Sequence, residues 1–172
     1  MPKIREYRPV GAEYLDTAPV HRTLRQAIPA GTAATFRCLL DADAWPVWLV
    51  PVTKVVWTSP QPFGVGTTRD ISGPTGTTSE YFFAWEEGRR MSFYFSKGVL
   101  PAVAAFAEDY ELVSTGEESC DLVWRYAFEC PGAFRAFQAI IAGAFGRVAK
   151  RSLRNLARYM VEHRATYDIE GP

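Results

Sequence analysis

From residue 132 to about residue 162 the chain reads as one amphipathic helix, and no other segment constrains the fold as strongly. On a wheel of about 100° per residue, Phe134, Phe137, Ile141, Phe145, Val148, Ser152, Leu156 and Tyr159 share one face. Arg147, Lys150, Arg151, Arg154 and Arg158 share the opposite one, which reads as a solvated face. At ~1.5 Å per residue such a helix spans roughly 45 Å, more than one strand can cover. It needs a broad apolar surface to lie across.

The upstream sequence supplies that surface. Residues 21–28 form a first strand that stops at Pro29. Helical spacing follows over 31–40, with Ala33, Ala34, Phe36, Leu39 and Leu40 on one side. A second short helix is expected over 42–49, with Pro46 in its first turn, where a missing N–H costs nothing. The period then changes to two. Strands are expected over 53–58, 67–72, 77–86, 90–96, 105–114 and 121–129, with glycine-containing turns at Gly66, Gly73, Gly76, Gly88 and Gly116. Short turns imply antiparallel neighbours. Residues 97–104 are an apolar connection. The predicted fold class is α+β, a seven-stranded curved antiparallel sheet wrapped around a long C-terminal helix, with two short helices between strands one and two. Residues 1–18 form an extension that packs on the domain or stays mobile, 19–165 the domain, and 166–172 a tail.

Composition narrows the function classes. With 48% apolar and 22% charged residues in 172, the chain is long enough for one full core and is not disordered. A formal net charge of zero gives no global footprint for nucleic acid. No run approaches the ~18 apolar residues of a membrane span, and the first residues lack an apolar h-region, so a cytoplasmic protein without stable membrane insertion is expected. Cys38, Cys120 and Cys130 are odd in number and lack metal spacing, which fits reduced thiols. His21 and His163 sit at element ends. Gly64-Val65-Gly66 is not followed by the Lys-Ser/Thr of a phosphate loop. Neither a metal nor a cofactor is expected.

Strand alternation nominates the site. Trp124, Tyr126 and Phe128 share one face of the last strand, and Met91, Phe93 and Phe95 share one face of an earlier one. A pocket between sheet and helix would be bordered by Trp48, Phe82, Phe93, Phe106, Tyr110, Trp124, Phe137 and Ile141, although core packing explains the same rings equally well. Trp45, Trp48 and Trp57 are expected near its entrance. Glu108 alternates with Phe106 and Tyr110, and Glu80 with Phe82 and Ala84; each points either into the concavity or to the wet side. Arg69 and Arg125 are expected on the convex, wet face. A carboxylate enclosed by apolar groups acquires a raised pKa and can serve as an acid or base. Glu108 with Tyr110 is the first such candidate and Glu80 the second.

Local stretches of the chain are similar to a known family. Residues 27–41, AIPAGTAATFRCLLD, resemble its first strand, Pro-containing turn and first helix. Trp48, Pro51, Val52 and Val55 match its W-x-x-P-x-V junction, 63–71 its G-x-G turn into a strand, and 85–95 its acidic turn followed by Arg and a strand. Over residues 20–163 the chain resembles the START-like superfamily of helix-grip proteins, in the polyketide cyclase/dehydrase and lipid-transport branch. The resemblance implies a hydrophobic cavity for lipids, polyketides, sterols or other apolar molecules. Only some members are enzymes, and they share no catalytic set. Three functions follow as expectations: binding of an apolar or amphipathic small molecule; a cyclase or dehydratase using a strand carboxylate and a tyrosine; or a partner-binding protein with a closed core. A monomer or a homodimer is compatible with each.

Overall fold

A computed structural model describes residues 3–168. Eight strands occur in chain order: β1 (Arg5–Glu6), β2 (Val20–Ile28), β3 (Lys54–Trp57), β4 (Thr68–Gly73), β5 (Gly76–Glu86), β6 (Arg90–Gly98), β7 (Ala105–Gly116) and β8 (Ser119–Glu129). All pair antiparallel in the order β2-β8-β7-β6-β5-β4-β3, with β1 added at the end of β6. Helices α1 (Tyr14–Thr17), α2 (Thr32–Leu40), α3 (Trp45–Trp48) and α4 (Gln138–Tyr167) complete the chain. The seven expected strands and the two short helices between the first and second of them are all present, and α4 closes the concave face.

The N-terminal residues pack rather than float. α1 buries Tyr14 and Leu15 on the convex side, against Ala105, Ala107 and Ala127 of β7 and β8. Three alanines there leave the room that a helix needs to approach a sheet. Tyr7 is buried too, and its hydroxyl accepts a hydrogen bond from the Leu100 amide at 2.7 Å. The extension therefore anchors the connection between β6 and β7.

The long helix differs from its ideal wheel at both ends. Residues Gly132–Phe137 form a 3-10 turn, opened by Gly132 at φ 46°, and the α-helix starts only at Gln138. A 3-10 segment has about three residues per turn, so the 3.6-residue phase does not extend back into it. Phe134 and Phe137 consequently point outward, 39% and 57% exposed. At the other end α4 continues to Tyr167, five residues past the expected stop. Tyr167 is buried, its hydroxyl donates to Asp41 at 2.7 Å, and its carbonyl accepts from Arg37 Nε. These bonds to α2 and its C-cap hold the last turn. Of the tail assigned to 166–172, residues 169–172 lie outside the described residues.

The buried face of α4 consists of Ala142, Ala149, Ser152, Leu153, Leu156 and Met160. Gly146 brings the helix close to β8: a Cβ there would lie 3.1 Å from the Tyr126 hydroxyl. Phe145 reaches further, into a set of rings on the sheet formed by Phe106, Trp124, Tyr126 and Phe128, with centroids 4.7–6.3 Å away. Arg147, Lys150, Arg151, Arg154 and Arg158 are exposed, as their side of the wheel requires.

β5 departs from simple alternation. Its register against β6 shifts between Ser79 and Glu80 and again between Phe82 and Ala84. A bulge adds one residue and exchanges the faces beyond it. Ala84 therefore pairs with Ser92, whose hydroxyl bonds the convex-side Asp109, while Trp85 joins Phe82 in the core at 5.4 Å. Ala84 does not share the face of Glu80 and Phe82.

Candidate functional site

The concave face is not filled along its length. Toward the C-terminal half of α4, side chains close the space. Toward the N-terminal half they leave a cavity of about 450 Å³. Ile141, Phe145, Val148 and Ala149 of α4 form one wall, and Phe106, Trp124 and Phe128 form the sheet side. The rim comes from connections: Pro51 after α3, Pro74 and Thr75 in the β4–β5 turn, and Leu100 to Val103 between β6 and β7. Pro51, Pro74, Thr75 and Pro101 are exposed, so this rim is the opening. Gly76 shapes it. At φ 127° it takes a conformation that L side chains avoid, and a Cβ would sit 2.8 Å from Val99 Cγ2.

The other end of the concave face is solid, and three of the expected site tryptophans belong to it. Trp45 and Trp48 are completely buried, and Trp57 is half-buried beneath Phe63. They stand at the closed end, not at an entrance. The reason is Arg69, which is also fully buried and faces inward, contrary to the convex position expected for it. Directly opposite on β5 lies Glu80. Arg69 Nε donates to Glu80 Oε2 at 2.6 Å, and Nη2 approaches the same oxygen to 2.6 Å. Neither Nη has a hydrogen bond of regular geometry. The guanidinium is instead enclosed by the rings of Trp45, Trp57, Phe82 and Phe93, at 4.1, 5.0, 5.2 and 5.1 Å. Arg125 does lie on the convex side, where it and Arg90 bind the buried Asp109.

Glu108 faces inward from β7 and lies between the two regions. It is 6% exposed, lines the cavity, and its Oε2 accepts the Tyr110 hydroxyl at 2.7 Å. Its carboxyl is pushed up to about 8: burial and then the Glu80 carboxylate raise it, while the Tyr110 hydroxyl, Arg69 and the Trp124 indole N–H pull it partly back. Tyr110 is itself raised, first by burial and then by Glu108. Beside Glu108 on β8, Trp124 also lines the cavity, and its buried Nε1–H makes no hydrogen bond of regular geometry. Trp48 Nε1 is likewise unpartnered but lies in the solid end. Glu80 is raised mainly by burial, with Arg69 opposing. It acts on Glu108 through its charge and does not line the cavity.

Of the eight residues expected around the pocket, Phe106, Trp124 and Ile141 line the cavity. Trp48, Phe82, Phe93 and Tyr110 are packed in the solid end, and Phe137 is outside for the reason given above. The rim residues were not singled out from sequence. The apolar run 97–104 was the available signal, because an exposed apolar connection beside an unfilled core is a natural wall. Among the described residues no group of three or more His, Cys, Asp or Glu could hold a metal ion, and the three cysteines are buried and free. No helix among them is long and apolar enough to cross a membrane.

A family model described as polyketide cyclase / dehydrase and lipid transport matches residues 19–161, most of the chain and all of the cavity. The chain belongs to this family. Another protein similar to this polyketide cyclase and lipid-transport family member is an uncharacterized protein of Mycobacterium tuberculosis, 39% identical over 153 residues, or 87% of this chain and 90% of that one. Among solved structures, a START superfamily protein from Mycobacterium smegmatis superposes with a TM-score of 0.67 at 11% identity, covering 83% of this chain and 97% of that one. The Zhui aromatase/cyclase from Streptomyces sp. R1128 gives 0.66 at 12% identity, over 83% and 95%. These likenesses establish the helix-grip architecture of the family in this chain.

Proposed function

We propose that this protein binds an apolar or amphipathic small molecule, lipid-like or polyketide-like, between the sheet and α4. The observation that carries this reading is the 450 Å³ cavity, walled by apolar side chains and opening through an exposed rim. A space of this size lies within the range of small-molecule sites, whereas a protein using its surface alone would have closed its core. Membership of a family described by polyketide chemistry and lipid transport supports it. An environment-sensitive apolar dye should bind the folded protein with one-to-one stoichiometry and be displaced by lipids or fused-ring ketones. Failure of the native protein to bind dye, lipid or ring compound would sink the reading.

One observation favours a second, catalytic use of the same cavity. Glu108 is a carboxyl group on the cavity wall whose proton affinity is shifted toward neutral pH, and the Tyr110 hydroxyl orients it. Such a group can give a proton to a ligand carbonyl or a departing hydroxyl and take one back. The Zhui neighbour, an aromatase/cyclase, supports a reaction of that kind. Glu108→Gln keeps the shape and removes the titrating proton. Turnover of a cyclising or dehydrating substrate should fall by about 10²-fold or more in this variant; unchanged turnover would leave Glu108 with a binding role only.

A further inference from the structure

Besides the hydroxyls of Ser72, Thr75 and Thr78, the cavity wall carries two polar groups, Glu108 and Trp124, that bear on which end of a ligand is buried. Glu108 and Trp124 project from neighbouring strands, Glu108 being paired with Tyr126 and Trp124 with Tyr110. Both are on the concave face, both are more than nine-tenths buried, and both line the cavity. Trp124 Nε1 lies close enough to the Glu108 carboxyl to pull its proton affinity down but makes no hydrogen bond of regular geometry, and a donor so poorly matched in such surroundings carries a desolvation cost until something accepts from it fully. Of the two Glu108 oxygens, Oε2 receives the Tyr110 hydroxyl. The other receives no hydrogen bond of regular geometry from the protein, and enclosure in an apolar wall favours the neutral acid, which can donate. No Lys, Arg or His lines the cavity.

We infer that the cavity selects uncharged apolar ligands that carry a carbonyl oxygen, held by the Trp124 indole N–H and the Glu108 carboxylic acid. This deepens the binding reading above and rests on it. A carbonyl oxygen has two lone pairs and brings no proton of its own, so it satisfies two donors at once. A hydrocarbon leaves the indole N–H orphaned. A carboxylate meets a carboxyl group with no cation at the wall to neutralise it. A site built around buried donors discriminates most strongly against a ligand that lacks the matching acceptor.

The test is a matched series on one ring system: 9-acetylanthracene, 9-(1-hydroxyethyl)anthracene, 9-ethylanthracene and anthracene-9-carboxylate, with dissociation constants measured at pH 7 on the full chain. The ketone should bind about 10-fold or more tighter than the hydrocarbon, the value expected for hydrogen bonds to otherwise unpaired buried groups. The carboxylate should be the weakest of the four, and the alcohol should fall below the ketone. The infrared carbonyl stretch of the bound ketone should move to lower frequency. Trp124→Phe should narrow the ketone-to-hydrocarbon ratio. Glu108→Gln, whose amide still donates, should preserve it, while Glu108→Leu should narrow it. Equal affinity for ketone and hydrocarbon, preference for the carboxylate, or an alcohol as tight as the ketone would each overturn the carbonyl assignment and leave the binding reading standing. If none of the four binds, the carbonyl assignment is overturned, and the dye and lipid measurements above decide the binding reading separately. The wild-type series decides the matter even if a variant fails to fold.

Discussion

Replacing Arg69 with Met should destabilise the fold by about 3–5 kcal/mol, the usual cost of leaving one member of a buried ion pair uncompensated. Arg69 is completely buried, and its only charged partner within 4 Å among the described residues is Glu80, itself 1% exposed. Without Arg69 the Glu80 carboxylate has neither water nor a counter-charge and must take up a proton. The damage spreads, because the guanidinium also fills the space between Trp45, Trp57, Phe82 and Phe93. Methionine occupies part of that volume, so most of the loss should reflect the stranded charge. The double variant Arg69→Met/Glu80→Leu separates the two contributions. It should regain most of the lost stability, since a buried pair replaced as a unit by apolar groups is often close to neutral. Urea midpoints of the two single variants and the double variant provide the measurement. Single variants within about 1 kcal/mol of wild type would show that the pair is solvated in solution. A double variant as unstable as Arg69→Met would show that packing around the guanidinium dominates.

The second large effect is a pH dependence. The Glu108 carboxyl goes from an ordinary 4.5 to about 8 in the folded protein. Between these values the folded state holds a proton that the unfolded state has released. Stability contributed at this site is therefore fully present below the unfolded value and declines as pH rises toward about 8. Glu108→Gln removes the titration while keeping a hydrogen-bonding group of the same size. The variant should gain on the wild type as pH increases, by on the order of 3 kcal/mol between pH 5 and pH 8. Comparing the two proteins at each pH cancels the titration of every other group. A constant difference across that range would mean that Glu108 titrates normally and that water reaches it. A ligand that accepts a hydrogen bond from the Glu108 acid favours its protonated form, so it should carry the wild-type decline on to higher pH, which links stability to the site.

Short-range patterning made most of the architecture legible. The alternating runs, the glycine turns and the Pro46 helix start each depend on neighbours a few residues away. So does the separation of Ile141, Phe145, Val148, Ser152 and Leu156 from the arginine face of α4. Amphipathicity left few places for a helix of that length except across the concave face of an antiparallel sheet. The same local logic put Phe106, Trp124, Glu108 and Tyr110 on one side, because no bulge interrupts β7 or β8 at those residues.

What only tertiary structure decided depends on partners distant in sequence. Arg69 looks like a wet-face residue until register places Glu80 opposite it, and only that pairing allows a cation inside. The register shift after Phe82, which inserts one residue in β5, moved Ala84 and Trp85 to faces that alternation does not predict. A 3-10 turn after Pro131 broke the phase that would have carried Phe137 to the core. The cavity itself is a difference between the volume enclosed by sheet, helix and loops and the volume of the side chains that face inward. Sequence patterning names the inward faces, but that difference is set by how closely α4 approaches the sheet and by where the 100–103 and 73–76 connections come to rest. The same rings therefore read equally well as core or as pocket wall until the chain is folded.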